Sequence, residues 1–587
     1  MEDIWSLSKS LHEILSAPEG GESLASTVEG YLTASESSKT IAVCEILLEL
    51  LNEGDEASQT DRKQVILSDT SLTYLPLLLP LSTSITSAKE LVCLIAEYSK
   101  AREVVLGLTE GIQSIVDRAE GYQVSDDEGD FDDEEIAVDW PGLIGEYELI
   151  IKCLNIAIPR LPNSRSTPTL LSLSESISSS LPILSHQATT KSARVLLKEL
   201  CGLVNIIWVW VQNTSDKGGG EQRAILSYML FESITLLGHK VNAKLTERWF
   251  LNNFPKFQNL PTSDESLEGW EAGQEVLDLA WSTGQTLDFT PSDLVHKIID
   301  PSHLTVHSSL ASLNLLSSQL ATQDITTLLL SLVSPTLLDD SMPILCVALS
   351  GSSVDAGVSY TWAVVHHLSD KKEGTVEYDN ASMLLELLVP LTAQHPSSLM
   401  RLALFKLIGG IITLQSAVVN KIELFKQLLE PANPFDNIRI QSLSLLRESI
   451  SSKEILSPIL VEILFPILFV SPSEQDPEAN PFTYSPSDLL NSPYIQWWTE
   501  CLTLLWFILD FDKEDITGAW KRFEGDDGLR AWTEGIEKKM TELQVFLTDN
   551  KEDDMDEFGG AQFAVMRFED ALNRVKGNIQ YRLERDG

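Results

Sequence analysis

Two histidines, His303 and His307, stand at i and i+4, a spacing that can turn both imidazoles toward one metal ion on a helix face. The HExxH pattern would need Glu at its second position, where Leu304 stands, and no third ligand follows, so no metal site is expected. The acidic run 125–135 sets Asp126, Glu128 and Asp130 at alternate positions, as a calcium loop does. Its sixth position would be Phe131, where the tight turn requires Gly, and that reading fails. Gly351-Ser352-Ser353-Val354-Asp355 breaks the GxSxG nucleophile pattern at its last glycine. Gly218, Gly219 and Gly220 have neither a strand pattern before them nor the Lys-Ser/Thr of a phosphate loop after them. His366-His367 reads as a helix-end pair. The six cysteines (44, 93, 153, 201, 346, 501) form no CxxC pair, and most lie in apolar, helix-like runs. Lys152 beside Cys153 is the one cationic neighbour of the kind that lowers a thiol pKa. Such cysteines suit a reducing setting, and the cytoplasm, with the nucleus beside it, is the expected location. No catalytic residue, metal or cofactor is expected, because no cluster of converging polar groups suggests a reaction centre.

The elements that would carry any site are helices. Apolar residues recur at three- and four-residue spacing through most of the chain, and strand signals are sparse. The stretch 91–108 is typical, with Leu91, Leu94, Ile95, Tyr98, Val105 and Leu108 near one face. Near the carboxy end Phe568, Leu572, Val575 and Ile579 follow the i, i+4, i+7, i+11 stripe. A near-repeat is the most informative feature. Arg401 in Leu399–Ile408 and Arg439 in Asn437–Leu446 precede the same apolar spacing, and Pro396 and Pro434 stand at equal distances ahead of them. The two arginines are 38 positions apart, close to the length of HEAT and armadillo units, and 418–429 between them reads as the partner helix of a hairpin. The expected fold is therefore all-α, a HEAT/armadillo-like α-solenoid of stacked helical hairpins, because one hairpin alone cannot bury its apolar face.

Composition divides the chain. Residues 1–120 read as amino-terminal helical repeats, 121–139 as an acidic disordered loop, 140–470 as central HEAT-like repeats, 471–493 as a Pro-rich loop and 494–587 as a Trp-rich helical region. The chain carries 42 Lys and Arg against 86 Asp and Glu, a formal charge of −44. That field repels phosphate backbones, so direct nucleic-acid binding is not expected; it favours basic protein partners and also serves solubility. The amino terminus is acidic where a signal peptide would be basic, and the longest apolar runs are interrupted by Asn205 and Pro466, so no membrane association is expected. A monomer is expected.

Three features point to partners. Ser125 is followed by three acidic residues and is a candidate phosphorylation site. Trp497 and Trp498 could be exposed anchors for a partner, since aromatic side chains dominate binding hot spots, or could fill a core. Third, Pro431-Ala432-Asn433-Pro434-Phe435-Asp436-Asn437-Ile438-Arg439, running into Leu445-Leu446-Arg447, resembles a stretch shared by the YAP-binding, aberrant-lateral-root and glomulin family. Length, acidity and a terminal helix around Phe563–Phe568 are similar too. Asn433, Pro434, Phe435, Asp436, Asn437 and Arg439 are the residues that carry the likeness. The resemblance implies a non-enzymatic HEAT-like solenoid acting through protein partners, with no catalytic residues to transfer. In the fungal YAP-binding branch the implied partner is an AP-1-like basic-zipper transcription factor in the oxidative-stress response, and some members are tied to the kinetochore. The alternative is a glomulin-like inhibitor that masks the RING-box subunit of cullin ubiquitin ligases.

Overall fold

The computed structural model describes residues 9, 28, 30, 32, 37–53, 56–68, 71–121, 138–162, 166–214, 219–258, 269–300, 306–329, 334–371, 375–470, 480–525, 527–549 and 559–586. Among these residues there is no strand; the protein is all-helical. In chain order the helices are α1 (Ser37–Leu51), α2 (Glu56–Leu67), α3 (Ser71–Leu81), α4 (Thr86–Tyr98), α5 (Ala101–Gly121), α6 (Trp140–Ala157), α7 (Ser166–Gln187), α8 (Thr190–Thr214) and α9 (Gly220–Leu237). Next come α10 (Leu245–Asn253), α11 (Trp270–Thr286), α12 (Pro291–Ile299), α13 (Val306–Leu320), α14 (Ile325–Leu329), α15 (Leu337–Ser350) and α16 (Val354–Lys371). The remainder are α17 (Tyr378–Gln394), α18 (Ser398–Thr413), α19 (Val418–Leu429), α20 (Asp436–Ser451), α21 (Pro458–Leu468), α22 (Pro486–Leu490), α23 (Tyr494–Phe511), α24 (Ala519–Gly525), α25 (Asp527–Asp549) and α26 (Gly559–Asp586). The described residues fall into two compact units. One lies within Met1–Asn253, Glu265–Leu332 and Pro343–Tyr360; the other lies within Phe254–Asp264, Val333–Met342 and Thr361–Gly587.

In the first unit the helices pack as two rows. α3, α5, α7, α9 and α13 follow one another in one row, α4, α6, α8 and α11 in the second, and α5 on α6 and α8 on α9 join the rows. Each helix carries apolar residues that a neighbouring helix must cover to keep them from water. α8 shows this: Leu196, Leu197, Leu200, Leu203, Val204 and Ile207 are all buried. By length and composition alone α8 could cross a membrane, and its helix runs unbroken past Asn205. Asn205 is accommodated because its amide donates to Thr283 Oγ1 at 2.8 Å and its carbonyl accepts from Thr286 Oγ1 at 2.9 Å. In the second unit α17 packs on α18, α19 on α20 and α21, α20 on α23, and α23 on α26.

Local chemistry sets the helix ends. Asp139 caps α6 by accepting from the Gly142 amide at 3.1 Å, with Pro141 in the first turn. Thr290 and Asp293 form a reciprocal capping box at the start of α12. Asp355, the residue that ends the broken nucleophile pattern, takes the Leu245 and Thr246 amides at 2.8 and 2.9 Å and so caps α10.

Two sequence expectations are corrected. The stretch 91–108 is two helices and not one: the chain turns extended at Ser99, which is fully buried and hydrogen-bonds the Leu67 carbonyl. Within the Pro-rich loop 471–493, the described residues contain a 3₁₀ turn, Pro481–Thr483, and the short helix α22. Proline is also no barrier within several helices. Pro76, Pro80, Pro182, Pro343, Pro390 and Pro466 all lie inside them, a local cost of about 3 kcal/mol each that packing must offset. The acidic segment 122–137 lies outside the described residues.

The terminal helix follows the expected stripe: Phe568, Leu572 and Val575 are buried and Ile579 is half-buried. Phe568 is wholly enclosed and stacks on Trp498 with ring centroids 6.1 Å apart. Phe568→Ala is expected to cost the second unit about 3–5 kcal/mol through the cavity it leaves. Urea unfolding followed by tryptophan fluorescence measures this, and a loss below about 1 kcal/mol would mean that α26 is not seated on α23.

Candidate binding surface

The two repeated arginines occupy equivalent places. Arg401, in the first turn of α18, donates from Nη1 to the His395 and Pro396 carbonyls at 2.6 and 3.0 Å, at the end of α17. Arg439, in the first turn of α20, donates from Nε to the Leu429 carbonyl at 3.3 Å, the last residue of α19. Arg439 thus reaches a carbonyl that the ending helix leaves without an intrahelical partner, and Arg401 the two carbonyls just past such an end, where the negative end of the helix dipole favours a cation. The same device recurs. Arg160 holds the Ala96 and Ser99 carbonyls at the end of α4, both at 2.6 Å. Lys240 does so for α7, Arg530 for α24 and Arg582 for α23.

The family-like motif is built around this contact. The Asn433 amide donates to the Leu428 carbonyl at 2.8 Å and its Oδ1 accepts from the Phe435 amide at 3.1 Å, closing the turn between α19 and α20. Arg439 Nη1 also pairs with Asp436 at 2.9 Å. Pro434, Asp436 and Asn437 are exposed, whereas Asn433, Phe435 and Arg439 are half-buried. The motif therefore has a structural side, Asn433 and Arg439, and a presented side, Pro434, Asp436 and Asn437.

The tryptophans are corrected as candidate anchors. Trp497 is 8 % and Trp498 2 % exposed, so neither indole is offered to a partner. Trp497 lies beneath the Arg439 guanidinium, 4.8 Å from its ring centroid, and Trp498 stacks on Phe482 at 4.9 Å. They hold α23 against α20 and α26. Their clustering in sequence is a core signal, because the large rings fill the space between three helices. Ser125 and His303 lie outside the described residues; His307 is in the first turn of α13, and its carbonyl accepts from Thr235 at 2.7 Å. Among the described residues no group of three His, Cys, Asp or Glu could hold a metal ion. His366 and His367 lie in the last two turns of α16, where the His366 ring stacks on Phe254 at 5.7 Å.

Concave surface occurs in both units. In the second, a cavity of about 300 Å³ lies between α18, α19 and α20, floored by Gly409, Gly410, Phe425 and Leu445 and edged by Lys406, Glu448 and Glu454. Packing is close there: a Cβ at position 410 would come within 2.9 Å of Val365 Cγ1 and one at 409 within 3.1 Å of Leu445 Cδ2, so these side chains would have to shift. Its charged groups are paired, Lys406 with Glu448 at 3.6 Å and Lys421 with Glu454 at 2.6 Å. In the first unit, a cleft of about 510 Å³ is lined by Arg223, Asp288, Phe289, Asp293, His296, Lys297 and Asp300. There Lys297 sits 5.5 Å from the Phe289 ring centroid, and burial lowers its pKa. Paired charges around small concavities can recognise a polar surface; they do not set a nucleophile against a base.

One juxtaposition has no sequence signal at all. Cys153 of α6 reaches α4 beside Cys93: its Sγ lies 3.9 Å from the carbonyl oxygen of Val92, and each thiol shifts the pKa of the other. Both Lys89 and Lys152 act on Cys93, so the expectation of a single cationic neighbour in the sequence is corrected. The other cysteines behave as small apolar residues: burial pushes the Cys44 thiol up to about 11 and the Cys201 thiol up to about 12.

Compared with known proteins, the chain matches no family model and no curated protein.

Arg439→Ala removes a carbonyl donor, an ion pair and the cation over Trp497 together. It is expected to destabilise the second unit by about 1–3 kcal/mol. Arg439→Lys should recover only part of this, because an ammonium cannot lie flat on the indole and reach the Leu429 carbonyl together. Denaturant midpoints of the two variants decide the point; a wild-type midpoint for Arg439→Ala would show that the contact is dispensable.

Proposed function

We propose that this chain is a non-enzymatic helical-repeat adaptor of the YAP-binding, aberrant-lateral-root and glomulin kind, a HEAT- or armadillo-like α-solenoid that binds a basic protein partner. The observation that carries this reading is the equivalence of Arg401 and Arg439. Two arginines 38 positions apart each stand in the first turn of their helix and donate to carbonyls at or just past the end of the preceding helix, an arrangement that repeats of one hairpin unit would give. The two rows of helices in the first unit support it, since a row in which each helix meets the next is how stacked hairpins bury a continuous core. The charge supports the choice of partner: a formal −44 attracts a basic segment over roughly the Debye length, about 8–10 Å at physiological salt. In this reading the partner is an AP-1-like basic-zipper transcription factor, met in the cytoplasm or nucleus, and the exposed Pro434, Asp436 and Asn437 mark a surface available to it.

Fluorescence anisotropy with a labelled basic-zipper segment tests this directly. The chain is expected to bind it, with Kd rising about ten-fold or more between roughly 50 and 200 mM salt as the electrostatic attraction is screened. An unchanged anisotropy at low salt would remove the basic-zipper reading. A ubiquitination assay containing a RING-box cullin ligase addresses the glomulin-like alternative, which undiminished chain formation would eliminate.

A further inference from the structure

α4 packs on α6 in the first unit, the Cys153 side chain touches the backbone next to Cys93, and both thiols are free. Cys153 is fully buried and its Sγ lies 3.9 Å from the carbonyl oxygen of Val92, the residue next to Cys93. Cys93 is half-buried, so a small reagent can reach it. The two positions differ in chemistry as well as access. Cys153 has one S–H proton, which points to the Val92 carbonyl. Cys93 has Lys89 one helical turn before it on α4 and Lys152 across on α6, with Glu90 opposing them.

We infer that Cys93 and Cys153 are a dithiol–disulfide pair, with Cys93 the attacking thiolate and Cys153 the resolving thiol, oxidised by a small-molecule disulfide. This stands apart from the adaptor reading and from any partner. Its interaction with Cys93 and then its burial raise the pKa of the Cys153 thiol, whereas the interaction with Cys153 and the two lysines lower that of Cys93; access points the same way, since only the Cys93 sulfur can be reached from outside. In the first step the Cys93 thiolate attacks one sulfur of the reagent, R–S–S–R; the reagent's S–S bond breaks, Cys93–S–S–R forms, and RS⁻ leaves and takes up a proton. In the second, Cys153 loses its proton and attacks the Cys93 sulfur; the Cys93–S–S–R bond breaks, the Cys93–Cys153 disulfide forms, and a second RSH leaves. Two protein thiols are oxidised and one reagent disulfide is reduced. The product would bolt α4 to α6.

The test uses the full chain equilibrated with reduced and oxidised glutathione at set ratios, quenched with an alkylating reagent and mapped by peptide mass spectrometry. Oxidising ratios are expected to remove two of the six thiols and to yield a peptide joined through residues 93 and 153. Cys93→Ser should leave the remaining five thiols free, and Cys153→Ala should leave glutathione trapped on Cys93. Should Cys153→Ala fail to fold, the wild-type map and Cys93→Ser decide. Six free thiols at the most oxidising ratio would overturn the pair, as would glutathione on half-buried Cys346 with none on Cys93, or a disulfide joining two chains.

Discussion

A fold made only of helices has many helix ends, and each leaves backbone carbonyls without an intrahelical partner. Where those ends are covered by the next helix, water cannot serve them, and an unpaired buried carbonyl costs about 1–3 kcal/mol. This protein meets the constraint with long basic side chains. Arg160, Lys240, Arg401, Arg439, Arg530 and Arg582 each reach from a later element to the carbonyls that close an earlier helix. A guanidinium suits the task, because it carries several donors and a charge of the sign that a helix carboxy end attracts.

Charged groups seldom go inside this protein. Among the described residues the buried charged groups are few: Glu146, Glu232, Glu247 and Asp512 on the acidic side, and Arg248, Lys421, Lys539 and Arg582 on the basic side. The acidic groups that do go inside are compensated: Glu146 pairs with Arg118 at 2.7 Å, and Asp512 accepts from the Ile516 and Thr517 amides at 2.8 and 2.7 Å. Burial still raises the pKa of Glu146 against the pull of Arg118.

The Trp-rich carboxy end gives the same lesson about aromatic residues. Trp498, Phe482, Tyr494 and Phe568 form one stacked cluster, with centroids 4.9–6.1 Å apart, and Trp532 packs edge-on against Phe469 at 5.0 Å. Such rings give a large apolar area with few rotatable bonds, which suits a seam where several helices converge. Half-buried Trp506 is covered instead by a cation, Arg574, 5.6 Å from its centroid.

The sequence by itself determined the helices, because amphipathic periodicity and capping residues act over three or four positions: the stripe Phe568–Leu572–Val575, the helix at 418–429 and the equivalence of Arg401 and Arg439 were all legible there. Charge and composition were legible too, being sums over residues. Whatever depends on residues far apart in the chain was decided by the tertiary structure. Periodicity could not show that Ser99 breaks 91–108, since the break is fixed by a hydrogen bond to the Leu67 carbonyl. It could not tell whether Trp497 faces water or Arg439, because helical spacing gives a face and not what covers it. Nor could spacing reveal that Cys93 meets Cys153, since their approach follows from how α4 and α6 pack, and packing is a property of surfaces brought together rather than of either segment alone.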